Sequence, residues 1–365
     1  MKKRNINCDI LRIIAFSLVV SVHYLLYNDF YNTLTFGKTM YGLYILRTLF
    51  IVCVPLFIIL SGYLMNKKEL NKQYYKNLFR IILTYILCSI ACIISIHFIL
   101  NRDLLSLKEY IFQLFNFSGA PYSWYVNMYI GLYLMIPFLN ILWNNLKNKE
   151  YKKYLIITLF AIMIFPTFIN IYNFTEPNWF LNPVSSRTYQ VLIPDFWTGV
   201  GYPILYYFVG CYLKEYPIKL SFIKNLLIIL CLMILFGSFN YYRNYNALYD
   251  YGIYSGYYSF EAFFISLFLS NLILNLKINI KNERLIKFIS KVSYLTFGAY
   301  LLSAIFDNLF YKLLLVNKTS INGGIIYMIP IIIIIIVLSL ISSYIVDLIE
   351  KGIKYSFKII KNRKV

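Results

Sequence analysis

Charge is scarce in this chain, and acidic charge scarcer still. Only 14% of the 365 residues are charged, and 15 Asp and Glu stand against 35 Lys and Arg. A water-soluble domain of this length needs more charge to cover its surface, and 60% hydrophobic residues with a mean hydropathy of +0.65 exclude one. The charges that exist fall in clusters between apolar runs, which leaves no room for a separate globular domain. The chain holds two His and six Cys (Cys8, Cys53, Cys88, Cys92, Cys211 and Cys231), with no Cys-x-x-Cys and no His at ligand spacing from them. A metal centre and a disulfide framework are therefore not expected, and Cys88 and Cys92, one helical turn apart, read as small packing residues. No glycine-rich phosphate loop, Walker motif or Ser-His-Asp series is readable. The formal charge of +20 does not point to nucleic acid either, because the cations sit in short loops rather than on a folded polar face.

What is present is a row of apolar runs. Ten of them, near 10–27, 41–64, 78–100, 123–143, 154–172, 199–213, 222–240, 257–275, 288–310 and 325–347, read as candidate spans of a ~30 Å hydrocarbon core, the sixth being the shortest. With the N-terminus in the cytosol, 26 Lys and Arg fall on the cytosolic side. Seven fall outside (Lys38, Arg102, Lys108, Arg187, Arg243, Lys312 and Lys318), and Arg12 and Arg47 lie within spans. The positive-inside rule then puts both termini in the cytosol and requires an even number of spans. The first span follows a basic stretch as a signal peptide does, but Arg12 interrupts it and no cleavage site follows, so it is expected to stay attached. No internal repeat or linker divides the chain. The expected fold is an all-α polytopic membrane bundle of about ten helices, with residues 1–365 forming one transmembrane domain. The 37 Tyr, many of them in the outer stretch 241–258, fit interfacial aromatic belts better than a sugar-stacking platform.

An ionisable residue inside a span costs at least about 2.5–3.5 kcal/mol for Arg, Lys or Asp at the centre, so each is a functional candidate. In the first span Arg12 and His23 are eleven positions apart, about three turns plus roughly 20°, which places them on one helical face about 16 Å apart. Arg offers a planar fork of donors suited to phosphate, and a neutral imidazole accepts a hydroxyl proton near neutral pH. The structural alternatives are an Asp9–Arg12 pair at the helix start, with Arg12 reaching to water, and a hydrogen-bonded core His. His97, beside Asn101 and Arg102, reads as interfacial and structural. Arg47 in the second span lies at the depth of His23, where it holds an anionic or developing-oxyanion group or else reaches outward. Pro55 is expected to kink that span, and Ser61-Gly62 to allow close backbone approach near the cytosolic mouth. Lys76 and Arg80 add cations beside Arg12 and complete a cytosolic anion site with Ser61 at its wall. Glu261 is expected to orient His23 or contact an acceptor hydroxyl, Asp307 to pair with Lys312, and Asn127 and Trp179 to line the substrate side.

The series Asp9-x-Leu11-Arg12, His23, Val54-Pro55-Leu56-Phe57 and Leu60-Ser61-Gly62-Tyr63-Leu64 resembles the acyltransferase-3 family of membrane O-acyltransferases. The likeness continues through Trp124-Tyr125, Gly131-Leu132-Tyr133-Leu134 with Pro137, Tyr206-Tyr207-Phe208-Val209-Gly210, and Ser293-Tyr294-Leu295-Thr296-Phe297-Gly298-Ala299-Tyr300-Leu301. Each motif is loose, but their order and spacing cover nearly the whole chain, and they look most like the surface-polysaccharide branch. The resemblance implies that Arg12 and His23 are the functional pair. Arg12 would bind cytosolic acyl-CoA, most simply acetyl-CoA, as a donor rather than a resident cofactor. His23 would activate a hydroxyl of an extracytoplasmic glycan, or carry the acyl group. It also implies a bacterial plasma or inner membrane, and it admits an exporter or flippase of a surface polysaccharide or lipid-linked sugar as the alternative, although the paired broken helices of transporters are not apparent. Two positions depart from the family pattern. The basic pair after the second span falls on Asn77 and Arg80, with Lys76 as substitute, and the His after the late Tyr-Leu motif is replaced by Ser303.

Overall fold

The structure, a computed structural model, describes residues 5–101, 103, 105–184, 190–315 and 321–362. Lys2, Lys3, Arg4, Arg102, Arg187, Lys318, Arg363 and Lys364 lie outside the described residues, as do the side chains of Lys312, Lys358 and Lys361.

In chain order the helices are α1 (Ile6–Tyr27), α2 (Gly37–Phe50), α3 (Cys53–Met65), α4 (Lys72–Lys76), α5 (Leu78–Leu100), α6 (Leu107–Phe115), α7 (Trp124–Asn145) and α8 (Lys149–Met163). They continue as α9 (Pro166–Ile169), α10 (Tyr202–Glu215), α11 (Phe222–Arg243), α12 (Phe260–Leu274), α13 (Glu283–Leu315), α14 (Ile321–Gly324) and α15 (Met328–Asn362). Starts are marked by side chains that take the orphan first-turn amides. Asn5 caps α1, Asn148 caps α8, Ser221 caps α11 and Ser259 caps α12. Ser106 and Glu109 cap α6 reciprocally, and the hydrogen bonds from Ser106 hold the Glu109 carboxyl below its usual range. Asn101, left-handed at φ 48°, ends α5.

The protein is an all-α polytopic membrane bundle. Among the described residues the only β pairing is an isolated bridge between Thr35 and Tyr245, and nine helical stretches are long and apolar enough to cross a bilayer. The expected sixth span, α10, falls short of that length at 14 residues, or about 21 Å. It still connects the two ends of the bundle. Before its start, the Phe196 amide and the Thr198 hydroxyl donate to the Ile162 carbonyl at the end of α8. At its finish, Glu215 takes Lys152 from the beginning of α8 at 2.6 Å. These two short helices thus lie side by side and antiparallel, and among the described residues the crossing helices number nine where ten were expected, α10 being the run that falls short.

The second span breaks where its sequence requires. Pro55 has no amide to return to the Ile51 carbonyl, and the chain leaves α2 through a turn at Ile51 and Val52 before resuming as α3. Backbones approach closely where glycine permits it: Gly62 of α3 against Tyr207 of α10, Gly210 of α10 against Ile59 of α3, and Gly237 of α11 against Ile45 of α2. Helix α1 lies at the centre, packed on α3, α12, α13 and α15. Cys88 and Cys92 both turn toward α13, with the Cys92 thiol 3.4 Å from the Leu301 carbonyl.

Candidate active site

Helices α1 and α13 run parallel, and their polar residues meet in sequence order. The Ser290 hydroxyl donates to Asp9 at 3.0 Å, the Arg12 guanidinium donates to the Ser293 hydroxyl at 2.7 Å, and His23 Nδ1 lies 3.2 Å from Asp307. Arg12 and Asp9 also pair at 3.5 Å, so the expected ion pair exists. It does not remove Arg12 from use, because the Arg12 side chain remains 27% exposed and forms part of a cavity wall.

That cavity measures about 700 Å³ and opens at the basic end of the bundle between α1, α3, α5, α7, α13 and α15. Its mouth carries Arg12, Lys76, Arg80 and Lys354, together with the carboxylates of Asp347 and Glu350. Ser61 lies in the same wall, its hydroxyl satisfied by the Phe57 carbonyl at 2.9 Å. Arg12, Ser61, Lys76 and Arg80, chosen from sequence as one cytosolic group, thus share one chamber. Arg80 is shared with an acid that the sequence reading missed: its Nε lies 3.5 Å from Glu350, while its guanidinium carbon sits 4.4 Å from the centre of the Tyr294 ring. Further in, the wall is Tyr125, Tyr129, Tyr133 and Tyr300 with apolar residues such as Phe57 and Leu60. Cations at the mouth and an apolar, aromatic interior suit a ligand with an anionic head and a long uncharged arm.

His23 stands one aromatic layer beyond this chamber and is not part of its wall. The Tyr122 ring lies 3.9 Å from the imidazole, centre to centre and tilted by 30°; Tyr300 lies 6.2 Å from Tyr122 and 5.8 Å from Tyr125. The Tyr300 hydroxyl donates to the Tyr122 carbonyl. Tyr300 of the wall and Tyr122 behind it therefore stand between the chamber and the imidazole, and the single corridor expected for Arg12 and His23 is interrupted there. The His23 side chain is 12% exposed, and among the described residues only its Nδ1 is hydrogen-bonded, which leaves Nε2 without a partner.

The remaining candidates are placed elsewhere. Glu261 does not orient His23. Sitting in the first turn of α12, it accepts from the Asn240 amide of α11 at 2.8 Å and faces Arg47 and Arg243, while the carboxylate on His23 belongs to Asp307. The Lys312 side chain first assigned to Asp307 lies outside the described residues. Arg47 is 1% exposed and enclosed by the rings of Tyr31, Tyr249 and Tyr251, the nearest 4.4 Å away, and it donates to the Tyr31 hydroxyl and the Ser255 carbonyl. It ties the outer loop down to α2. Asn127 is exposed on α7, and Trp179 packs on Tyr172 and Phe174; neither lines the chamber.

Asp307, Tyr122 and Glu350 were missed as site residues. A signal for the first was available: Ser293, Tyr300 and Asp307 recur every seven residues and so share one face of α13.

A family model described as an acyltransferase domain, that of acyltransferase-3, matches residues 5–347. No curated protein and no solved structure matches the chain.

Proposed function

The chain belongs to the acyltransferase-3 family and is a multi-pass membrane acyltransferase, and on that premise we propose that it moves an acyl group, acetyl in the simplest case, from cytosolic acyl-CoA to a hydroxyl of an extracytoplasmic surface glycan. The observation that carries the reading is the chamber at the basic end, which gathers Arg12, Lys76 and Arg80 around its mouth and ends at Tyr300, itself packed on the Tyr122 ring that covers His23. The nucleotide phosphates of the donor lie against the cations, where charge-assisted bonds from guanidinium are strong. The pantetheine arm runs along Phe57, Leu60 and Tyr129 toward Tyr125 and Tyr300, and the thioester reaches His23 when those rings yield. His23 takes the acceptor proton on its unpartnered nitrogen as the hydroxyl oxygen attacks the thioester carbon. Coenzyme A leaves as thiol by the way it came, and no resident cofactor takes part. A bacterial plasma or inner membrane suits this traffic, with the acyl group supplied inside and the glycan modified outside.

The test is direct. Purified protein in lipid nanodiscs is given radiolabelled acetyl-CoA and an envelope glycan extract from cells that lack the gene. Acceptor-dependent release of coenzyme A with label in the glycan is expected, and both are to vanish in His23→Ala. Glycan movement across a vesicle without any thioester consumption would favour an exporter and overturn the proposal.

A further inference from the structure

His23 is held by a neighbour that no sequence motif named. Its Nδ1 lies 3.2 Å from Oδ2 of Asp307, a carboxylate with no solvent exposure. The same oxygen accepts from the Tyr122 hydroxyl at 2.6 Å, and the Tyr27 hydroxyl lies 3.2 Å from that of Tyr122. The Tyr122 ring also covers one face of the imidazole. Two contacts thus fix the ring of His23, one in its plane and one across its face.

We infer that Asp307 is the positioning residue of the transfer reaction, holding His23 in the tautomer protonated on Nδ1 so that Nε2 faces the reacting atoms. The inference rests on the proposed role of His23 in acyl transfer. A carboxylate can only accept, so the shared hydrogen must come from Nδ1, and the lone pair of a neutral imidazole then resides on Nε2. Among the described residues no Lys or Arg pairs with Asp307; the groups that face it are His23 and Tyr27 from α1, Tyr122 from the turn before α7 and Tyr311 from its own helix. The charge available to compensate Asp307 is therefore the one that appears on His23 when it accepts a proton. During transfer the acceptor hydroxyl proton passes to Nε2, the oxygen–carbon bond forms, the carbon–sulfur bond breaks, and the departing thiolate recovers the proton from Nε2. Asp307, bonded to Nδ1, steadies the transient imidazolium. Its second oxygen is buried without a hydrogen-bond partner.

Two readouts test this on the full-length protein in nanodiscs. Nitrogen-15 histidine NMR on a His97→Gln background observes His23 alone. The wild type is expected to show the hydrogen on Nδ1, and Asp307→Ala to return it to Nε2, the form free imidazoles prefer. With acetyl-CoA and the envelope glycan extract as probes, Asp307→Ala and Asp307→Asn should lower kcat by about 10²- to 10⁴-fold with the donor KM unchanged, and Asp307→Glu should restore part of it. If His23→Ala is inactive while Asp307→Ala keeps wild-type kcat, this inference fails and the acyl-transfer role of His23 stands. If His23→Ala is itself active, that role fails first. Should the Asp307 variants not insert, the wild-type spectrum decides alone, since a hydrogen on Nε2 overturns the assignment.

Discussion

Gly62 of α3 and Gly210 of α10 each face the backbone of the other's helix so closely that neither can carry a side chain. A Cβ on Gly62 would stand 1.9 Å from the Tyr207 carbonyl oxygen, and one on Gly210 would stand 2.0 Å from that of Ile59. Both obstacles are backbone, so α3 and α10 would have to separate. Close helix contact of this kind supplies dispersion and polar contact where lipid provides no hydrophobic drive. Gly62→Ala and Gly210→Ala are each expected to cost at least the 1–3 kcal/mol typical of overpacking, about the same order in either helix. Gly131→Ala and Gly42→Ala, where a Cβ meets nothing within 4 Å, should be neutral or slightly stabilising. Thermal unfolding of the four variants in detergent separates the two groups, and equal losses in all four would refute the contact.

Arg12 is expected to act on the donor rather than on the chemistry. It reaches the chamber from α1 while held by Ser293 and Asp9, so its fork is oriented before any ligand arrives. Arg12→Ala should raise the KM for acetyl-CoA by about tenfold or more, equivalent to ~1.4 kcal/mol of lost binding. Arg12→Lys should recover only part of this, because a point charge cannot match two phosphate oxygens at once. A large fall in kcat at unchanged KM would place Arg12 at the reacting centre instead.

Glu350 holds the cations to which the proposed donor would bind. It takes Arg80, Lys354 and the Thr84 hydroxyl at the chamber mouth. Glu350→Gln keeps the side-chain shape and removes the charge, which frees Arg80 and Lys354 for an anion. The expected result is a lower donor KM, a steeper dependence of KM on salt, and an unchanged kcat. A raised KM would mean that Glu350 holds the cations in place for the donor rather than away from it.

The bundle was legible because membrane crossing is a one-dimensional constraint: length, hydropathy and the side on which Lys and Arg fall decide it without tertiary information. Even so, α10 was visible only as a short run, since a 14-residue helix inside a protein needs no lipid-facing length. The cytosolic cations were legible for the same reason, as charge that the bilayer pushes to one end. The carboxylates were not. Glu261 and Asp307 both sit near the outer ends of spans, and which of them reaches His23 depends on the rotation of α12 and α13 about their axes. Only packing on α1 settles that, although the seven-residue recurrence of Ser293, Tyr300 and Asp307 on α13 hints at it. Arg47 was set beside His23 from its expected depth alone, whereas in the fold three tyrosine rings, from position 31 and the outer loop, close over it.

Tyr300 stands between the chamber and His23, and this gives the strongest test of how the two are joined. Its ring lines the chamber, packs between Tyr125 and Tyr122, and is fixed by the bond from its hydroxyl to the Tyr122 carbonyl. On the proposed reading the ring is expected to keep water in the chamber from the imidazole, protecting a bound thioester until an acceptor is in place. Tyr300→Ala deletes the ring and connects the two spaces. Hydrolysis of acetyl-CoA without any glycan should then rise by about tenfold or more, on the scale of a general base gaining access to water, while transfer to glycan falls. The deletion also leaves a cavity costing ~3–5 kcal/mol, so insertion and melting must be followed in parallel. Tyr300→Phe keeps the ring and loses only the hydroxyl bond; it should hydrolyse no faster than wild type and still transfer. Coenzyme A release measured with and without acceptor distinguishes these cases, and a Tyr300→Ala protein that inserts normally but hydrolyses at the wild-type rate would show that the ring is no barrier.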